Sequence, residues 1–205
     1  MKKLIILASA FLLVFGIVGA ANSAILYSED FEATDGGYTH SGVQDEWEWR
    51  YGRWGTDQSG FSHDYNNNSN QILMSTVFGL DIDTSNTTTL SFDYYFNTEN
   101  YYDRVTTEYT LDGGSNWNVI AGPASGFSGG WQTASIDITS IYTDTLQAGW
   151  RLTSDYSITE YGFYIDNVVI DGELNAPVPE PATMLLLGVG LVGMGVAGRK
   201  KLFKK

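Results

Sequence analysis

Leu90-Ser91-Phe92-Asp93-Tyr94-Tyr95-Phe96 alternates with a period of two. Leu90, Phe92, Tyr94 and Phe96 fall on one face, and Ser91, Asp93 and Tyr95 on the other, which is how a strand lies with one side on a core. The same pattern recurs outward from it. Leu146, Ala148, Trp150 and Leu152 alternate with Gln147, Gly149, Arg151 and Thr153, and Val105, Thr107, Tyr109 and Leu111 with Arg104, Thr106, Glu108 and Thr110. Further strands are expected at Ile25–Phe31, Glu46–Trp54, Gln71–Phe78, Trp117–Ala121, Trp131–Ile138 and Tyr161–Ile170. Gly, Asn and Asp clusters separate them, as tight turns require. Nine short strands without helical periodicity predict an all-β fold, an antiparallel β-sandwich of jelly-roll type, over residues 25–174.

The two ends have a different composition. Lys2 and Lys3 precede an apolar run from Leu4 to Val18 and small residues from Gly19 to Ala24, so residues 1–24 read as a secretory signal peptide. Cleavage after Ala20, Ala21, Ser23 or Ala24 is equally compatible with the pattern. After a short linker, 175–177, the chain continues Val178-Pro179-Glu180-Pro181, an uncharged stretch 182–198, then Arg199, Lys200, Lys201, Lys204 and Lys205. That stretch is expected to form a transmembrane helix, at the short end of what crosses about 30 Å of hydrocarbon, and the basic residues after it favour the cytoplasmic side. Everything before it then faces out of the cytoplasm.

Of eleven basic residues, only Arg50, Arg53, Arg104 and Arg151 lie between the signal peptide and the uncharged stretch, against all 24 carboxylates. A domain so acidic and free of lysine repels phosphate backbones, which excludes nucleic acid as a partner. The chain has no cysteine, which excludes disulfides and thiol chemistry.

Two resemblances follow from particular residues. Val178-Pro179-Glu180-Pro181, an apolar Leu/Gly-rich span and the Arg199-Lys200 tail resemble the PEP-CTERM sorting signal of Gram-negative bacteria. That resemblance implies an exported protein, held transiently in the inner membrane and processed by an exosortase-type membrane protease. It further implies delivery to the cell surface or to an exopolysaccharide-rich matrix.

Ser28-Glu29-Asp30-Phe31-Glu32, the segment around Phe92, Leu111-Asp112-Gly113-Gly114-Ser115-Asn116-Trp117, and Tyr164-Ile165-Asp166-Asn167-Val168 resemble, in that order, MAM-like jelly rolls and bacterial choice-of-anchor domains. The resemblance implies a non-enzymatic adhesion or carbohydrate-associated module. It also implies a structural Ca2+ held by Glu32 and Asp166, with Asp30 or Asp35 helping, where the first and last strands meet.

Sugars stack apolar C–H faces on rings, so the aromatic residues are the candidate binding groups. Tyr101 and Tyr102, in an expected loop, and Trp49 and Trp54 are the rings expected to meet exopolysaccharide. Trp117 reads as a buried ring under a turn. His40 and His63 fall in expected loops with no nucleophile motif beside them, and carboxylate pairs such as Glu46 with Glu48 or Asp81 with Asp83 are unspecific among so many acids. The expectation is therefore a non-enzymatic polysaccharide-binding protein. A calcium-dependent protein–protein adhesion module is the alternative, and a secreted hydrolase the next.

Overall fold

A computed structural model of the chain describes residues 24–50, 52–56 and 65–175. The signal peptide up to residue 23, His63, the helix at 182–198 and the sorting residues Val178, Pro179, Glu180, Pro181, Arg199 and Lys200 lie outside the described residues.

Two antiparallel sheets pack face to face, the β-sandwich that the alternation predicts. One sheet runs in the order β3 (Glu48–Arg50), β4 (Arg53–Gly55), β11 (Gly162–Gly172), β6 (Thr89–Asn97), β9 (Gln132–Asp137), with β1 (Ala24–Glu29) also on β11. The other runs β2 (Thr39–Val43), β5 (Asn70–Met74), β10 (Gln147–Thr153), β7 (Arg104–Thr110), β8 (Asn118–Ala124). From β5 onward the chain crosses repeatedly between the sheets, so each hydrophobic face closes on the other. The first and last strands pair directly, Glu29 opposite Val168 and Tyr27 opposite Ile170.

The core is aromatic because the two central strands supply rings. Trp150 on β10 and Phe92 on β6 meet edge to face at 5.3 Å across the sheets, and Tyr38 stacks on Trp150 at 6.0 Å. Leu90, Phe92 and Phe96 are buried as the alternation predicts, and so are Leu146, Ala148, Trp150 and Leu152.

β11 crosses its own parity. Phe163 and Ile165 point inward, and so do Val168 and Ile170, which lie an odd step further on. A bulge between Asp166 and Val169 opposite β6 supplies the extra residue, with Asn167 in the left-handed region at φ 48°. Asn adopts that conformation more readily than most residues. The bulge keeps Val168 in the core while Asp166 and Asn167 face out.

Four expectations need correction. Glu46–Trp54 forms two short strands, β3 and β4, rather than one, because Gly52 turns the chain at φ 71°. β2, absent from the nine expected strands, pairs along β5, and His40 lies on it rather than in a loop. Its sequence, Thr39-His40-Ser41-Gly42-Val43, is exposed throughout and carries no alternating signal. Trp54 is 4 % exposed in the core, its indole donating to the Asp35 carbonyl, so it offers no open face to a sugar. Trp117 is half-buried on the outer face of the second sheet, where it covers Gly149.

Candidate functional site: an aromatic cluster on the outer face

Register brings the site together. On the outer face of the first sheet Tyr164 stands opposite Tyr95, and two residues along each strand Asp166 stands opposite Asp93. Asp93 is also opposite Thr133 on β9, and Trp131 directly precedes that strand. The result is a row of rings beside a row of polar groups.

The ring centroids of Tyr95 lie 5.5 Å from Tyr164, 6.1 Å from Trp131 and 5.8 Å from Phe127, and Trp131 lies 6.5 Å from Tyr164. Tyr164 is the buried floor, whereas Trp131 is 46 % and Phe127 61 % exposed. Arg53 on β4 places its guanidinium 5.3 Å over the Tyr164 ring. Rings of this size left open on a sheet face form a surface for a partner.

Hydrogen-bonding groups flank the rings on both sides. On one side the Asn97 amide donates to Glu160 at 3.1 Å. On the other, Thr133 and Asn167 donate to the two oxygens of Asp93 at 2.6 and 2.9 Å. Burial, with Tyr161 and the charge of Glu160 nearby, pushes the Tyr95 hydroxyl above its usual range. Burial likewise raises the Asp166 carboxyl, and the like charges of Asp93 and Glu32 raise it further, with Arg53 pulling the other way.

Of the expected metal residues, Glu32 and Asp166 come near one another beside this face. Glu32 is exposed over the β3–β4 turn, where a Cβ on Gly52 would meet its carboxylate at 2.9 Å, and its charge reaches Asp166. Asp30 accepts from the Glu32 amide and Asp35 from the Gly37 amide, so each closes a local turn. Among the described residues, the three carboxylates close enough to share one ion are instead Glu99, Asp103 and Asp155, which loop packing gathers at the far end of the strands. There Asp103 is fully buried, accepting from the Tyr65 hydroxyl and the Asp155 amide.

The expected sugar-stacking rings divide. Tyr101 and Tyr102 are 77 % and 63 % exposed in a loop, Tyr101 at φ 75° with its amide held by the Ser125 hydroxyl. Trp49 is half-open, its indole tied to the Phe31 carbonyl at 2.9 Å. Neither the strand reading of Trp131 nor that of Tyr95 marks them as neighbours; only the pairing of β6, β9 and β11 does.

The catalytic alternatives find structural roles. Glu46 is buried and accepts twice from Asn66, at 2.7 and 2.6 Å, while Glu48 pairs with Arg50 at 2.8 Å. Asp83 accepts from Ser85 and Asn86. His40 pairs with Asp45 at 2.8 Å on an exposed strand. A cleft of about 270 Å³ between the sheets is lined by Phe92, Phe96, Val105, Ile136 and Phe163 among others, with no carboxylate or histidine.

Comparison with known proteins identifies the tail. Residues 177–201 match the PEP-CTERM protein-sorting motif. The chain carries that sorting motif behind its sandwich. A PEP-CTERM motif marks an exported protein processed at the membrane. A curated relative, Bacillopeptidase F of Bacillus subtilis, is 30 % identical over 154 residues, 70 % of this chain. The chain spans about a tenth of that relative's length. Among solved structures, a cleaved adhesin domain of Lys-gingipain from Porphyromonas gingivalis is 15 % identical, covers 74 % of this chain and 99 % of its own, and has a TM-score of 0.44. The xylan-binding CBM22-1 domain from Paenibacillus barcinonensis is 12 % identical, covers 77 % and 100 %, and has a TM-score of 0.41. A family 29 carbohydrate-binding module from Piromyces equi is 10 % identical over 75 % and 92 %, also at 0.41.

Proposed function

We propose that this PEP-CTERM-bearing protein binds extracellular polysaccharide without catalysis, and does so on the outer face of the first sheet. The observation that carries the reading is the exposed cluster of Tyr95, Phe127, Trp131 and Tyr164 between two rows of amides, hydroxyls and carboxylates. Rings take the apolar C–H faces of a sugar, and the flanking groups exchange hydrogen bonds with its hydroxyls. Small-ligand sites are built this way, mostly apolar with a few placed polar groups. Such a surface on an exported protein suits the cell surface or the polysaccharide matrix around it. Tyr101 and Tyr102 are secondary contacts, separate from this cluster. The sorting motif implies an exosortase-type protease as the processing partner, with the inner membrane as the transient anchor.

Retention of the purified protein on immobilised polysaccharides tests the reading. Trp131→Ala with Phe127→Ala is expected to lose retention on a polymer that holds the wild type, while Tyr101→Ala with Tyr102→Ala keeps most of it. The opposite ranking would move the site to the loop.

A second proposal concerns calcium. Glu32, in the loop after β1, and Asp93 on β6 both act by charge on Asp166 of β11; as they stand they are not close enough to share one ion, and a divalent cation would draw them together and relieve that repulsion. The ion would link the two chain ends and add stability. A rise in Tm with calcium that Glu32→Ala and Asp166→Ala abolish is expected. No rise at saturating calcium would leave these acids as surface charge.

A further inference from the structure

We infer that the polysaccharide held on this face carries free, protonated amino groups: the ring cluster and the carboxylates around it are matched to an amino-sugar polymer, not to a uronate or a neutral one. The inference rests on the polysaccharide reading above and names its substrate class.

The rings are mutually inclined. Tyr95 makes angles of 69° with Tyr164, 46° with Trp131 and 71° with Phe127. Coplanar rings would make a platform for a flat neutral ribbon, whereas rings at these angles present separate faces, each able to attract a compact cation through its quadrupole. The chain itself already uses one of these faces so, with the Arg53 guanidinium over Tyr164.

The charges surrounding the cluster are negative. Glu160 acts on Tyr95 from one side, and Asp93 and Asp166 stand on the next row of the other, with Glu32 acting on Asp166. Among the described residues, the side chains that donate to the Glu160 and Asp93 carboxylates are the amides of Asn97 and Asn167 and the hydroxyl of Thr133, none of which carries charge. Arg53 is one cation against these four carboxylates, and no lysine occurs between Lys3 and Lys200. A uronate or sulfated polymer would be repelled by this field, and a neutral one would gain nothing from it. An ammonium group gains both the ring faces and the carboxylates. Glu160 lies on the side of the rings away from the Glu32–Asp166 pair, so its contribution stands whether or not a metal ion is held at that pair.

Three β-1,4-linked oligomers of equal length, built from glucosamine, N-acetylglucosamine and glucose, separate the charge from the sugar. Their affinities for the full protein are measured by calorimetry at low and at 0.5 M salt. For each amine engaged, the glucosamine oligomer is expected to bind about two- to fivefold tighter than the glucose oligomer. The advantage is expected to shrink in high salt and to narrow in Glu160→Gln. It should vanish in Trp131→Ala, which keeps the overall negative charge. A preference that survives Trp131→Ala would be bulk attraction to an acidic protein and would overturn the inference. Acetylated or glucose oligomers binding as tightly as the amine form would overturn it too, yet leave the aromatic cluster as a neutral-glycan site. If none of the three oligomers bound, and Trp131→Ala left retention on whole polysaccharides unchanged, the underlying reading would fall as well.

Discussion

Trp131 separates the proposed site from ordinary packing. It is open to solvent yet touches both Tyr95 and Tyr164, so its removal leaves the core rings in place and takes away the upper wall of the cluster. Trp131→Ala is expected to cost about 2 kcal/mol of glycan binding, roughly thirtyfold in Kd, with little change in Tm. Titration calorimetry beside a thermal melt checks both parts. The carboxylates at the other end predict a pH effect. Burial raises the Asp103 carboxyl, and Asp155 adds to the shift; Glu99 is raised too, by partial desolvation and then by Asp155 and Asp103. Folded-state values above unfolded ones mean that the native protein binds more protons. This contribution is therefore present at low pH and lost as pH rises through and above the ordinary carboxylate range. Asp112 works in the opposite sense. The Asn116 side chain and amide, with Thr110, hold it at about 2, so its support is present above pH 4 and lost below. Asp155→Asn should raise Tm at pH 7 and leave it nearly unchanged at pH 4. Melts across that range measure it, and an equal shift at both values would contradict the charge account.

The elements show why some of this was legible in sequence and some was not. β6, β7 and β10 declared themselves because each has a face that must be apolar, and Phe92 and Trp150 meet as that alternation requires. β2 did not, because an exposed edge strand has no apolar face to reveal it. The break at Gly52 was hidden for a different reason: the residues on both sides of it are strand formers, and only the backbone shows the turn. Trp117, which the turn motif predicts to be buried, has its ring on the outside, against Gly149. The site is the extreme case. Tyr95, Trp131 and Tyr164 are each ordinary strand-rich residues, and pairing alone makes them neighbours. The first motif and the last, around Glu32 and Asp166, were expected at one junction, and β1 does pair with β11. Two substitutions test the elements themselves. Asn167→Val places a β-branched side chain at φ 48° in the bulge and should cost about 1–3 kcal/mol, whereas Asn167→Gly should be tolerated. Gly149→Ala would push a Cβ into Trp117 and within 2.9 Å of Ile72, and should cost about 1–3 kcal/mol by denaturant unfolding.

At the scale of the molecule, charge and address agree. Four arginines against 24 carboxylates lie between the two apolar ends, and residues 177–201 match a protein-sorting motif. A surface of one sign keeps an exported domain soluble and turns polyanions away. The sandwich supplies a rigid frame, closed by its first and last strands, on which a few outward side chains do the recognition. Recognition is proposed to lie on the outer face of the first sheet. The most direct test is a glycan-binding titration followed by NMR or by tryptophan fluorescence, read at individual rings. Saturating oligosaccharide is expected to perturb Trp131, Tyr95 and Phe127 and to leave the core ring Trp150 as it was. Perturbation confined to Tyr101 and Tyr102, or to Trp49, would contradict the account and place binding elsewhere on the sandwich.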